Sequence, residues 1–145
     1  MIATVLDRFP TPACARLLGL DILAIDAARG WVRIGFVAEP AFCNASGSIQ
    51  GGFLAAMLDD TMGPAVLIRT GAALYPTTIH MTVNYLAAAR PGPLFGEATV
   101  LQLGKTIGFV EAVLTDLDGV VIARASSSVR LRPMPDSSVI HPILG

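Results

Sequence analysis

The spacing of apolar and polar residues changes twice along the chain, and each change marks a different kind of element. In residues 4–18, Val5, Leu6, Phe9 and Leu17 fit a short helical segment interrupted at Pro10 and Pro12, and Gly19 closes it. Residues 20–26 and 31–37 read as two strands, and Ala27-Ala28-Arg29-Gly30 joins them as a hairpin. Residues 38–50 are polar, carry Gly and Pro, and read as a loop of a length uncommon in small domains unless it has a task. Gly51 to about Thr70 is the only long helical candidate, about 30 Å if straight. Its apolar residues lie on nearly every side, which predicts a helix buried all round. Pro64 lacks the N–H that would bond the Asp60 carbonyl, so a kink or loosening is expected between them. Beyond Gly71 the period shortens: residues 77–86, 94–103, 106–116 and 120–131 are rich in β-branched side chains, and Asp118-Gly119 marks a tight turn between the last two.

The order is strand pair, long loop, one helix and four strands. A lone helix with several apolar faces is hidden only by a sheet that curls around it. The expected fold is therefore α+β of the hotdog kind, a curled antiparallel sheet of five or six strands wrapped around one long central helix. At 145 residues, one core and a single domain spanning 1–145 are the default. Residues 1–18 are expected to form a helical flap, and residues 133–145, with Pro133, Pro135 and Pro142, an extended peripheral tail.

Composition adds an expectation about partners. Hydrophobic residues make up 53% of the chain and charged residues 14%, which is apolar for a soluble surface. The longest stretch free of Asp, Glu, Lys, Arg and His, residues 40–58, contains Asn44, Ser46, Gly47, Ser48 and Gln50 and suits no bilayer. Self-association explains the excess better than a membrane does. A formal charge of -1 with no Lys/Arg cluster argues against nucleic acid. Cys14 and Cys43 show no metal-ligand spacing, and the N-terminus lacks the basic start and apolar run of a secretory signal. A cytoplasmic protein with no metal and no organic cofactor is expected.

The unusual chemistry gathers in residues 44–61. A glycine pair, Gly51-Gly52, opens the helix, and Asp59 and Asp60 sit two turns inside it. The free N–H groups of a helix's first turn suit an oxygen that becomes negative during reaction, and glycines there allow close approach. A plain loop-to-helix junction would use the same glycines. The two carboxylates raise the stakes, because buried carboxylates need partners and the helix carries no Lys or Arg before Arg69. Adjacent helical positions point about 100° apart, so one carboxylate can face a pocket while the other meets solvent or a polar group. Both can instead lie solvated at a rim.

The pattern Asn44-x-x-Gly47-x-x-Gln50-Gly51-Gly52, with Asp59 eight residues after Gly51, resembles the signature of hotdog thioesterases of the phenylacetic acid degradation (PaaI) type. Residues 77–86 with Ala89-Arg90-Pro91-Gly92 are similar to that family's helix-following strand and Arg-Pro turn, and residues 104–119 with Ala123 to its last two strands. The resemblance spans about residues 17–132. It implies an acyl-coenzyme A thioesterase in which Asp59 is the acidic catalyst, the Gly51 N–H the oxyanion donor, Asn44 the loop amide and Thr78 the hydroxyl on the next strand. Asp60 follows the catalyst at a usually polar place, and Gly52 borders the substrate. Gln50 departs from the His of many relatives: it can donate a hydrogen bond but takes up no proton near neutral pH.

Asp59 then either attacks the thioester carbon, giving an anhydride, or deprotonates a water that attacks it. Arg90, Lys105 and Arg124 are the candidate cations for the coenzyme A phosphates. His80 stands at strand spacing from Thr78 and could reach the same face, but a hydrogen-bonded structural role is the expected one; His141 is expected to be exposed. The resemblance also implies a dimer with shared active sites, extended to a homotetramer. Two rivals remain: a non-catalytic acyl-coenzyme A-binding protein, which would be expected to lack the acidic residue, and a hotdog hydratase or dehydratase, disfavoured because the helix and its preceding loop lack His.

Overall fold

A computed structural model describes residues 2–136 of the chain. The opening hairpin consists of β1 (Asp21–Asp26) and β2 (Trp31–Ala38), and the four later strands are β3 (Leu74–Tyr85), β4 (Gly92–Leu103), β5 (Ile107–Asp116) and β6 (Val121–Pro133). All six join one sheet in the order β1-β2-β4-β5-β6-β3, with every neighbouring pair antiparallel. Two helices precede and cross it: α1 (Ala13–Leu17) and the long α2 (Gly51–Arg69). This is the hotdog fold, with β3 and β1 at the two edges.

Alternation explains which face meets α2. Val32, Ile34 and Phe36 on β2, Leu94 and Ala98 on β4, and Val110, Ala112 and Leu114 on β5 are buried with Leu54, Met57, Leu58, Met62, Ala65 and Val66 of α2 in one core. Full burial of a large apolar side chain contributes about 1.5–3 kcal/mol. Gly96 lets α2 come close to the sheet: a Cβ there would collide with Thr61 Oγ1 and crowd Phe36. Thr61, fully buried, donates its hydroxyl to the Met57 carbonyl at 2.7 Å, so no polar atom is stranded at the contact. Gly30 closes the hairpin at φ 63° and is packed against Val100.

Two expectations need correction. The sheet does not cover α2 on all sides: Gly52, Ala56 and Asp59 are exposed along one face of the helix. In the first three turns this strip carries none of the helix's large apolar side chains, which lie at Phe53, Leu54, Met57, Leu58 and Met62. The final strand also runs further than expected, since Pro133 pairs with Leu74 inside β6. Residues 137–145 of the tail, including His141, lie outside the described residues. Pro64 is accommodated within α2, which continues to Arg69.

The N-terminal segment contains a helical turn at Val5–Arg8, capped reciprocally by Thr4 and Asp7. Val5 and Leu6 pack on the core, and Arg8 Nη2 donates to the Gly71 carbonyl just past α2 at 3.1 Å. A cation at that helix end is also favoured by the helix dipole.

Candidate active site

The loop before α2 is ordered by its own polar atoms. Asn44 Oδ1 accepts from Ser46 N at 3.0 Å, Ser46 Oγ at 2.7 Å and Ser48 N at 3.3 Å, an Asn-centred turn closed by a bridge between Cys43 and Ile49. Phe42 stacks on Phe53 at 4.2 Å between ring centres, tying the loop to the helix. Gln50 is the N-cap of α2, its Oε1 accepting from Gly52 N at 2.9 Å. Phe53 N and Leu54 N both donate to the Gln50 carbonyl, at 3.0 and 3.4 Å. The Gly51 N–H is left without a hydrogen bond among the described residues, at the end of the helix where partial positive charge collects.

Gly51 opens onto a cleft of about 450 Å³ whose walls include Asn44, Ser46, Ser48, Leu54, Tyr85 and residues 86–89. Tyr85 had no distinguishing signal in the sequence beyond its residue type. Its hydroxyl donates to the Gly51 carbonyl at 2.9 Å. Of the expected group, Asn44, Gln50, Gly51 and Gly52 are therefore together at this end, with the Gly52 N–H already engaged by Gln50.

Asp59 lies eight residues further along α2, about 12 Å away by helical rise. It is exposed, and Thr78 Oγ1 donates to its Oδ1 at 2.8 Å. A β-bulge makes this contact possible. Thr78 pairs with Val129 and His80 with Ser128, leaving Ile79 extra in β3. Val129 is buried on the α2 side, so Thr78 faces the helix, while exposed His80 falls on the other face. The alternative in which His80 shares the face of Thr78 is thus removed by one inserted residue.

Asp60 is the more buried carboxylate. Its Oδ2 is buried with no hydrogen-bond partner, and burial, followed by the negative charge of Asp59, pushes its carboxyl up to about 6. Arg90 lies beside the loop, with Nη1 4.0 Å from where a Gly47 Cβ would stand. Lys105 is exposed in the turn after β4, at the opposite end of that strand from Arg90. Arg124 is not brought to the cleft. It alternates with buried Ala123 and Ala125, and lines a shallow hollow with Trp31, Glu97 and Glu111 on the outer face of the sheet. Among the described residues no group of three or more His, Cys, Asp or Glu is placed to hold a metal ion.

Residues 46–123 match the Thioesterase superfamily. Human acyl-coenzyme A thioesterase 13 is 32% identical over 102 residues, covering 70% of this chain and 71% of that protein. A phenylacetic acid degradation-related protein from Ralstonia eutropha JMP134 superposes with a TM-score of 0.81 at 32% identity, covering 87% of this chain and 95% of that one. A Streptococcus mutans UA159 protein bound to acetyl CoA shares the fold at 18% identity and a TM-score of 0.71, covering 81% and 91% of the two chains. The chain belongs to the thioesterase superfamily, with PaaI-related thioesterases among its structural relatives, and it is a thioester hydrolase.

Proposed function

We propose that the protein hydrolyses an acyl- or aryl-coenzyme A thioester to the free acid and coenzyme A, at sites that two copies of the chain build together. The observation that carries this reading is the Asp59 carboxylate held by Thr78 on the open face of α2. The name of the human relative and the acetyl CoA bound by the Streptococcus mutans protein support the choice of substrate.

The separation along α2 argues for the second copy. One thioester carbon cannot lie within reach of both Asp59 and the Gly51 N–H of the same chain when about 12 Å of helix divides them. β3 is a twelve-residue edge strand whose unpaired side invites another strand. Antiparallel pairing of β3 with its copy reverses direction, bringing the Thr78 end of one chain toward the Tyr85 end of the other. Asp59 of one protomer then faces Gly51 of its partner, and Lys105 approaches the side on which Arg90 of the other copy stands. Exposed Leu101, Ile107 and Phe109 offer further apolar surface for joining such dimers into a tetramer.

In this arrangement Asp59 removes a proton from water as the water oxygen bonds to the thioester carbon, or attacks that carbon itself to form an anhydride that water then opens. The carbonyl oxygen becomes negative on the Gly51 N–H, a donor worth about 2.7–4 kcal/mol in comparable sites. Collapse breaks the carbon–sulfur bond, and the coenzyme A thiolate takes up a proton. Thr78 orients the carboxylate, and the Asn44 turn shapes the cleft. Purified protein is expected to release thiol from a panel of short, medium, long and aromatic acyl-coenzyme A esters. Asp59→Asn is expected to lower turnover by two or more orders of magnitude with the oligomer intact, and full activity in that variant would refute the reading.

A further inference from the structure

β3 touches α2 at a second point that the hydrolytic reading leaves unused. Tyr85 reaches the Gly51 carbonyl at 2.9 Å across 34 residues of sequence. Its ring lies flush against the same glycine: a Cβ on Gly51 would stand 3.2 Å from Cζ and 3.3 Å from Cε1. Consecutive glycines leave the backbone unusually free to rotate. The peptide that carries the Gly51 N–H is held through the Gln50 carbonyl by Phe53 N and Leu54 N, and the next one, which carries the Gly51 carbonyl, through Gly52 N by Gln50 Oε1; apart from Tyr85, these restraints are local to the start of α2. Among the described residues, Tyr85 is the one side chain from another element that is hydrogen-bonded to Gly51 or Gly52.

We propose that Tyr85 is the positioning residue for the oxyanion donor. By holding the Gly51 carbonyl from β3 and covering the glycine with its ring, it restricts rotation about the two backbone bonds at the Gly51 Cα, and so fixes how the adjoining Gly51 N–H is aimed into the cleft, which Tyr85 also walls. The same strand that orients Asp59 through Thr78 thereby orients the donor through Tyr85, so that each copy of β3 sets the carboxylate half of one shared site and the donor half of the other. This rests on the reading of Gly51 N–H as the oxyanion donor.

Tyr85→Phe keeps the ring and removes only the tether. It is expected to lower kcat about five- to tenfold, with KM within twofold of wild type and the oligomer unchanged, as fits the loss of one neutral hydrogen bond. Independently of turnover, the Gly51 amide in ¹⁵N-labelled protein is expected to shift its resonance and exchange faster in Tyr85→Phe. An unchanged kcat in an active protein, or an unmoved Gly51 amide, overturns the proposal. Wild-type protein without thioesterase activity would sink the hydrolytic reading instead, and the amide measurement would still decide whether Tyr85 governs this peptide.

Discussion

Thr78 donates its hydroxyl to Asp59 Oδ1 at 2.8 Å, and it faces α2 only because Ile79 is bulged out of the register between β3 and β6. In an unbroken strand, alternation counted back from Met81, Val83 and Tyr85 would turn Thr78 to the outer surface. The extra residue re-aims the hydroxyl, as bulges next to functional side chains commonly do.

Thr78→Val keeps the β-branched shape and removes the donor. A hydrogen bond to a charged group is worth about 1.5–3 kcal/mol, so turnover is expected to fall roughly 10- to 100-fold. Thr78→Ser, which retains the hydroxyl, is expected to stay within a few-fold of wild type. Steady-state kinetics on one acyl-coenzyme A ester compares them, and equal rates in Thr78→Val and wild type would remove Thr78 from the chemistry.

Much of this was legible in the chain. The switch from helical to strand spacing after Gly71 located four strands, and the glycine pair located the start of α2 to the residue. Asp59 and Thr78 enter one site from the sequence only through family resemblance, because the bulge depends on the tertiary pairing of β3 with β6 and leaves no local mark. The same limit hides that His80 and Thr78 lie on opposite faces of β3. Strand alternation, not proximity to a turn, decides the face of Arg124 and places it on the outside of the sheet. Tyr85 was invisible because its contact with Gly51 joins elements 34 residues apart.

Asp60 makes stability depend on pH with a definite sign. Its carboxyl lies at about 6 in the folded chain against an ordinary 3.8, so between those values the folded state binds more proton than the unfolded one. Stability contributed by the protonated group is full below about pH 3.8 and is lost as pH rises through about 6. Asp60→Asn removes that loss. It is expected to be more stable than wild type at pH 8 by roughly 1–2 kcal/mol, after discounting for partial solvent contact, with the gain fading toward pH 4. Thermal melts at the two pH values test this, and an advantage that is equal at both would refute it.

The close approach of α2 to the sheet at Gly96 predicts a coupled pair. Gly96→Ala places a methyl group against Thr61 Oγ1 and Phe36, and overpacking of this kind costs about 1–3 kcal/mol. Thr61→Ala removes the obstructing hydroxyl together with its bond to the Met57 carbonyl. The double variant is expected to recover at least half of the stability lost by Gly96→Ala alone. Urea unfolding of the four proteins in the cycle measures the coupling, and strict additivity would show that the two positions do not press on each other.

Shared sites predict that two inactive chains repair each other. Gly51→Pro deletes the N–H at the first position of α2, a place where helices tolerate proline, and Gly51→Ala controls for the added bulk beside Tyr85 while retaining the donor. Gly51→Pro is expected to be about 100-fold slower than Gly51→Ala, consistent with loss of one oxyanion donor. In a mixed dimer of Gly51→Pro with Asp59→Asn, one site combines the intact Asp59 of the first chain with the intact Gly51 of the second, while the other site carries both defects. Co-expressed and purified as a heterodimer, the pair is expected to regain close to half of the wild-type rate per dimer. If each chain instead contained a complete site, every site in the mixture would keep one lesion and activity would stay at the mean of the two parents.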